Sequence, residues 1–143
     1  MIKVYAKADN AAELLIYDVI GEDFFGEGVT GTKVKDKLDA LGDVDDITVR
    51  INSPGGNVWD GLTIFNLLKE HPAQVHVHVD GLAASAASAI AMAGDLITMG
   101  EGAMMMIHNP MALAIGDANA MLKTVDMLRK VETQMIGIYA RRS

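Results

Sequence analysis

Apolar positions change period several times along the chain, and each change marks an element. Gln74 to Asp80 alternates, with Val75, Val77 and Val79 on one side and His76 and His78 on the other. That spacing predicts a strand with two unlike faces. Leu14 to Ile20 and Ile47 to Asn52 read as two further strands, Leu96 to Met99 and Met104 to Ile107 as short ones. Between them the period lengthens. Val34, Leu38 and Leu41 form the stripe of a helix over Thr32 to Leu41. Val58, Leu62, Phe65 and Leu68 face a second helix that runs to His71, with Pro72 just past its end. Ala84 to Ala93 reads as an alanine-rich helix. From Asn119 onward, Met121, Val125, Leu128, Glu132 and Met135 mark a long amphipathic one. Strands alternating with helices at this spacing predict an α/β fold with crossover units and a mostly parallel sheet.

No repeat, low-complexity tract or Pro/Ser-rich linker interrupts the pattern, so residues 1–143 read as a single domain. A net charge of −7 argues against a nucleic-acid partner, because phosphate neutralisation needs clustered Lys and Arg. The absence of cysteine removes disulfides, thiolate metal sites and a cysteine nucleophile, and fits a reducing compartment. Met1 to Lys7 carries no apolar run of the secretory kind. The most lipid-like stretch, Leu82 to Ala93, falls well short of the roughly 20 residues that cross a bilayer. The expectation is a cytoplasmic protein without a membrane partner.

Three segments carry candidate chemistry. In Asp80-Gly81-Leu82-Ala83-Ala84-Ser85-Ala86-Ala87 a strand ends, a glycine turns the chain, and a serine stands at the mouth of a helix of small residues. Unpaired N–H groups there suit a developing oxyanion, although taken alone Ser85 reads first as a helix cap. In Asn52-Ser53-Pro54-Gly55-Gly56 consecutive glycines leave main-chain N–H groups unshielded, to hold a peptide or simply to turn from strand to helix. In Met106-Ile107-His108-Asn109-Pro110 a histidine closes a strand before a proline turn. It is either a structural imidazole or the base that a serine nucleophile needs.

Taken in order, Arg50-Ile51-Asn52-Ser53-Pro54-Gly55-Gly56, Gly81-Leu82-Ala83-Ala84-Ser85 and Met106-Ile107-His108-Asn109-Pro110 resemble the motif set of the Clp protease proteolytic subunit family. Ile20-Gly21-Glu22-Asp23-Phe24-Phe25-Gly26 resembles its phage and prophage branch, the head maturation proteases. The resemblance spans nearly the whole chain. It implies the fold shared by Clp peptidases and crotonases, with a handle helix toward the C-terminal end. It implies Ser85 as nucleophile, His108 as general base, and the N–H groups of Gly56 and Ala86 as oxyanion donors. The main chain of Ile51, Asn52, Ser53, Pro54 and Gly55 would hold an extended substrate. No metal or organic cofactor is implied. The implied partners are a polypeptide substrate, a capsid or scaffold protein in the phage branch, and further copies of the chain in stacked rings. A housekeeping Clp subunit would add an ATPase partner. A crotonase-type thioester enzyme and a non-catalytic ring protein are the alternatives.

The chain departs from the pattern in two places. Ala86-Ala87 stands where the family usually has Met-Gly, and none of the 35 residues after His108 matches the family's triad acid. The expectation is therefore a domain cut short within or after the handle, or a Ser–His dyad. Asp117 reads as a solvated loop residue rather than that acid, and Ser88, one turn beyond Ser85, as packing rather than nucleophile. An exposed stripe of Met121, Val125, Leu128 and Met135 reads as an interface. Gly26-Glu27-Gly28-Val29-Thr30-Gly31 spells G-x-G-x-x-G but does not directly follow a strand, which argues against a dinucleotide. His76 and His78 lack a third metal ligand. Met104 to Met106 read as core.

Overall fold

Why the apolar alternation ends in a sheet is visible in β2 (Ala11–Ile16), β3 (Asp46–Ser53) and β4 (Gln74–Ala84). Leu14, Ile16, Ile47, Val49, Ile51, Val75, Val77 and Val79 are all at most 1% exposed and line one face. Thr48, Arg50, His76 and His78 occupy the other and are only half-buried. The chain is seen in a computed structural model that describes residues 2–6, 10–22 and 25–142. Asp23 and Phe24 of the Ile20–Gly26 motif, Met1 and Lys7 of the N-terminal reading, and Ser143 lie outside the described residues.

The strands run in the order β1 (Ile2–Ala6), β2, β3, β4 and β5 (Leu96–Met99), and β6 (Met104–Met106) also pairs with β4. All pairings are parallel except that of β1 with β2. Helix α1 (Gly31–Leu41) links β2 to β3, and α2 (Val58–Lys69) links β3 to β4. They pack side by side, with Val34, Leu38, Ile64, Phe65 and Leu68 buried. Each such side chain contributes roughly 1.5–3 kcal/mol through burial. Strand β1 has no counterpart among the elements expected from the sequence. Its Ile2 and Val4 are half-buried between exposed Lys3 and Tyr5.

A second difference matters more for the site. Strand β4 does not stop at Asp80 but continues to Ala84 through an irregularity, for Ile51 faces Val79 whereas Ser53 faces Ala83. The extra β4 residues are accommodated because Asn52 Oδ1 accepts the Leu82 N–H at 3.2 Å. A bulge of this kind bends a strand and re-aims its end. Upstream of it His76 to Val79 pair with β5 (Leu96–Met99), and downstream Leu82 to Ala84 pair with β6 (Met104–Met106). On the polar face the bend is braced by Asp80. Its carboxylate accepts from Tyr17 Oη, from Arg50 Nε at 3.0 Å and from Arg50 Nη2.

The chain divides into two compact units, Met1–Ile107 and His108–Ser143. The second carries α4 (Ala118–Ala140), capped by Asp117, whose carboxylate accepts the Ala120 N–H at 2.9 Å. Met121 and Val125 are exposed as expected, but Met135 is not part of an exposed stripe. It is buried together with Val131 and Ile138, one or two turns along the same side of the helix. Met104 and Met106 are likewise not core: they are 64% and 43% exposed, because β6 is a short strand at the margin of the sheet. No helix is long and apolar enough to cross a membrane among the described residues.

Candidate active site

Ser85 sits where β4 gives way to α3 (Ala86–Ala91). Its backbone is left-handed, φ 54° and ψ −124°, a conformation that side-chain-bearing residues avoid at a cost of about 1–3 kcal/mol. Such strain persists only where the surroundings impose it. Here the Ser85 N–H donates to the Met106 carbonyl at 2.8 Å. The Ser85 carbonyl accepts from the Ser88 N–H at 2.9 Å and from Ser88 Oγ at 2.6 Å. The turn shortens the helix relative to the expected Ala84 start. The serine hydroxyl makes no capping bond to that helix. A sharp strand-to-helix turn that lifts a hydroxyl clear of its own helix is the geometry of a nucleophile elbow. Ser88, by contrast, is fully buried.

The glycine turn lies directly against this elbow. A β-carbon at Gly55 would stand 2.5 Å from the Ala84 carbonyl oxygen, 2.8 Å from Ser85 Cβ and 3.0 Å from the Ala86 nitrogen. Only glycine fits, and its φ of 89° is also one that glycine alone adopts readily. Gly56 follows with φ 146° and is exposed. The turn is fastened to the segment after β2: Ile20 N–H donates to the Gly55 carbonyl at 2.9 Å, and Asn57 N–H to the Ile20 carbonyl at 2.8 Å. None of these bonds uses the Gly56 N–H.

The other sequence-derived positions fall into two groups. Asn52, Pro54 and Gly56 are exposed, whereas Ile51, Ser53 and Gly55 are buried. Ile51 belongs to a strand with neighbours on both edges, paired to Ile16 and to Val79. His108 is exposed and opens the second unit, two residues after Met106. The helix start behind the G-x-G-x-x-G segment is already occupied, since Asp60 Oδ1 accepts the Gly31 N–H at 2.7 Å. His78 Nδ1 pairs with Thr98 Oγ1 at 2.8 Å, and His76 Nε2 lies 3.4 Å from Asp46. No three His, Asp or Glu side chains converge to hold a metal ion among the described residues.

A family model for Clp protease matches residues 4–143. The chain belongs to the Clp protease family. It is 33% identical over 111 residues to the ATP-dependent Clp protease proteolytic subunit of Bacteroides fragilis, an alignment that covers 74% of this chain and 52% of that one. It is 36% identical over 107 residues to proteolytic subunit 2 of Synechococcus sp., covering 67% and 53%. With the Ligilactobacillus salivarius subunit it shares 37% identity over 106 residues, covering 66% and 52%. The chain thus spans about half the length of the curated relatives it matches. Its α/β architecture with a mostly parallel sheet is the one this family predicts.

Proposed function

We propose that the protein is a serine endopeptidase in which Ser85 attacks the peptide carbonyl and His108 takes the hydroxyl proton. The leaving amine departs with a proton from the imidazolium, and water then hydrolyses the acyl-enzyme. The N–H groups of Gly56 and Ala86 receive the oxyanion. One such donor is worth about 3 kcal/mol of barrier. The observation that carries the reading is the strained, uncapped Ser85 elbow seated on Gly55. Exposed Asn52, Pro54 and Gly56 present the turn to an extended substrate, while Ile51 serves the sheet. Asp117 caps α4, which argues against it as the third triad member.

The same reading includes ring assembly from copies of the chain in the cytoplasm. On source of substrate, the matched relatives are named ATP-dependent proteolytic subunits, which favours a partner ATPase. The Ile20–Gly26 motif favours the head maturation branch and a capsid or scaffold substrate. Addition of ATP and a Clp ATPase separates the two: only the first accelerates protein degradation on that addition. For the chemistry itself, a fluorophosphonate probe should label the full-length protein at Ser85. Labelling should vanish in Ser85→Ala and fall steeply in His108→Ala. An unlabelled wild type, or label on Ser88, would overturn the assignment.

A further inference from the structure

Ser53 is 1% exposed, and a hydroxyl taken that far from water is costly unless both its donor and acceptor capacities are met. Both are met. Ser53 Oγ donates to the Asp18 carbonyl and accepts the Gly55 N–H at 3.1 Å. One hydroxyl therefore ties the end of β3 to the segment after β2 and at the same time fixes the amide of the glycine that touches Ser85. The Gly55 carbonyl is held from the other side by Ile20. With both polar groups of Gly55 fixed, the peptide that follows, which carries the Gly56 N–H, has its direction set.

From these contacts we infer that Ser53 is a positioning residue for the oxyanion site. Its side chain holds the Gly55-Gly56 turn in register with Ser85 and does not contact substrate. The inference rests on the peptidase reading above. It separates buried Ser53 from its exposed neighbours Asn52 and Pro54. Without the hydroxyl the turn can tilt. A displacement of about 1 Å at a reacting centre costs on the order of 100-fold in rate.

The test compares wild type, Ser53→Ala and Ser53→Thr in the full-length protein with a fluorogenic peptide, alongside hydrogen exchange of residues 53–57. Ser53→Ala should lower kcat by about 10- to 100-fold with KM within about twofold of wild type. Exchange at the turn should quicken. Ser53→Thr, which keeps the hydroxyl, should recover most of kcat. Should the alanine variant fail to fold, Ser53→Cys takes its place, filling similar space with a much weaker donor and acceptor. A folded variant with wild-type kcat overturns the inference, as does a rise in KM at unchanged kcat, which would make Ser53 a substrate contact. If wild type itself is neither labelled nor active, the peptidase reading has failed. Quickened exchange in Ser53→Ala would even then show the hydroxyl fixing the turn.

Discussion

At the scale of single residues, the site is a set of groups whose conformations are imposed by neighbours. Gly55, which lies against Ser85, is one such case, since a methyl group there meets main-chain atoms that cannot swing aside. Gly55→Ala should therefore destabilise the protein by more than the roughly 1 kcal/mol usual for glycine replacement at positive φ, and should abolish probe labelling. Thermal melts with labelling of the same samples check both. Ser88 makes a different prediction. Its buried Oγ bond to the Ser85 carbonyl contributes about 1 kcal/mol, so Ser88→Ala should melt about 4 °C lower yet still label at residue 85. The serine, the glycines and the histidine were all legible as candidates from residue type and order. The left-handed turn at Ser85 was not, because nothing in Ala84-Ser85-Ala86 forbids an ordinary helix start.

At the scale of elements, the bend in β4 links the strand core to the elbow, and the Asp80 cluster sits on that bend. Partial burial pushes the Asp80 carboxyl up, but hydrogen bonds from Arg50 and Tyr17 outweigh it and hold the group below the usual carboxylate range. Its bonds to Asp80 in turn raise Arg50, and Tyr17 is raised by its own bond to Asp80 together with burial. A depressed folded-state carboxyl stabilises above the unfolded value, and that contribution disappears as pH falls through the folded value. Stability should thus decline below about pH 4, the ordinary aspartate range. In Asp80→Asn the decline should be shallower, and stability at pH 7 lower by on the order of 1 kcal/mol, since Arg50 is partly solvated. Urea melts at pH 7 and pH 3 decide it; equal pH slopes in the two proteins would remove the cluster from the account. Strands β2 to β6 were legible to within a few residues, whereas β1 was not. The continuation of β4 past Asp80 was not legible, because Gly81 reads locally as a turn and the Asn52 side chain that sustains the strand lies 30 residues from Leu82.

At the scale of the whole molecule, apolar surface remains on the second unit. Met111, Leu113 and Ile115 are 79–89% exposed in the segment before α4, and Leu122 on the helix is 61% exposed. Surface of this kind marks a partner interface, and in the ring-forming reading the partner is another copy. Sedimentation should therefore show a particle well above the 15.3 kDa of one chain. Leu113→Asp combined with Leu122→Glu should shift it toward smaller species without altering the melt of the Met1–Ile107 unit. A wild-type monomer at micromolar concentration would remove assembly from the proposal.

The sequence by itself determined the α/β class, the parallel core strands and the ordered motifs, because period-two and period-3.6 patterns and residue chemistry are local properties of a chain. Tertiary structure alone decided which serine is strained and uncapped, which glycine touches it, and that Ser53 turns inward while Asn52 and Pro54 face outward. It also decided that Met135 is buried and Met104 exposed. Those outcomes depend on atoms distant in sequence meeting at van der Waals distance, and no local pattern encodes such a meeting.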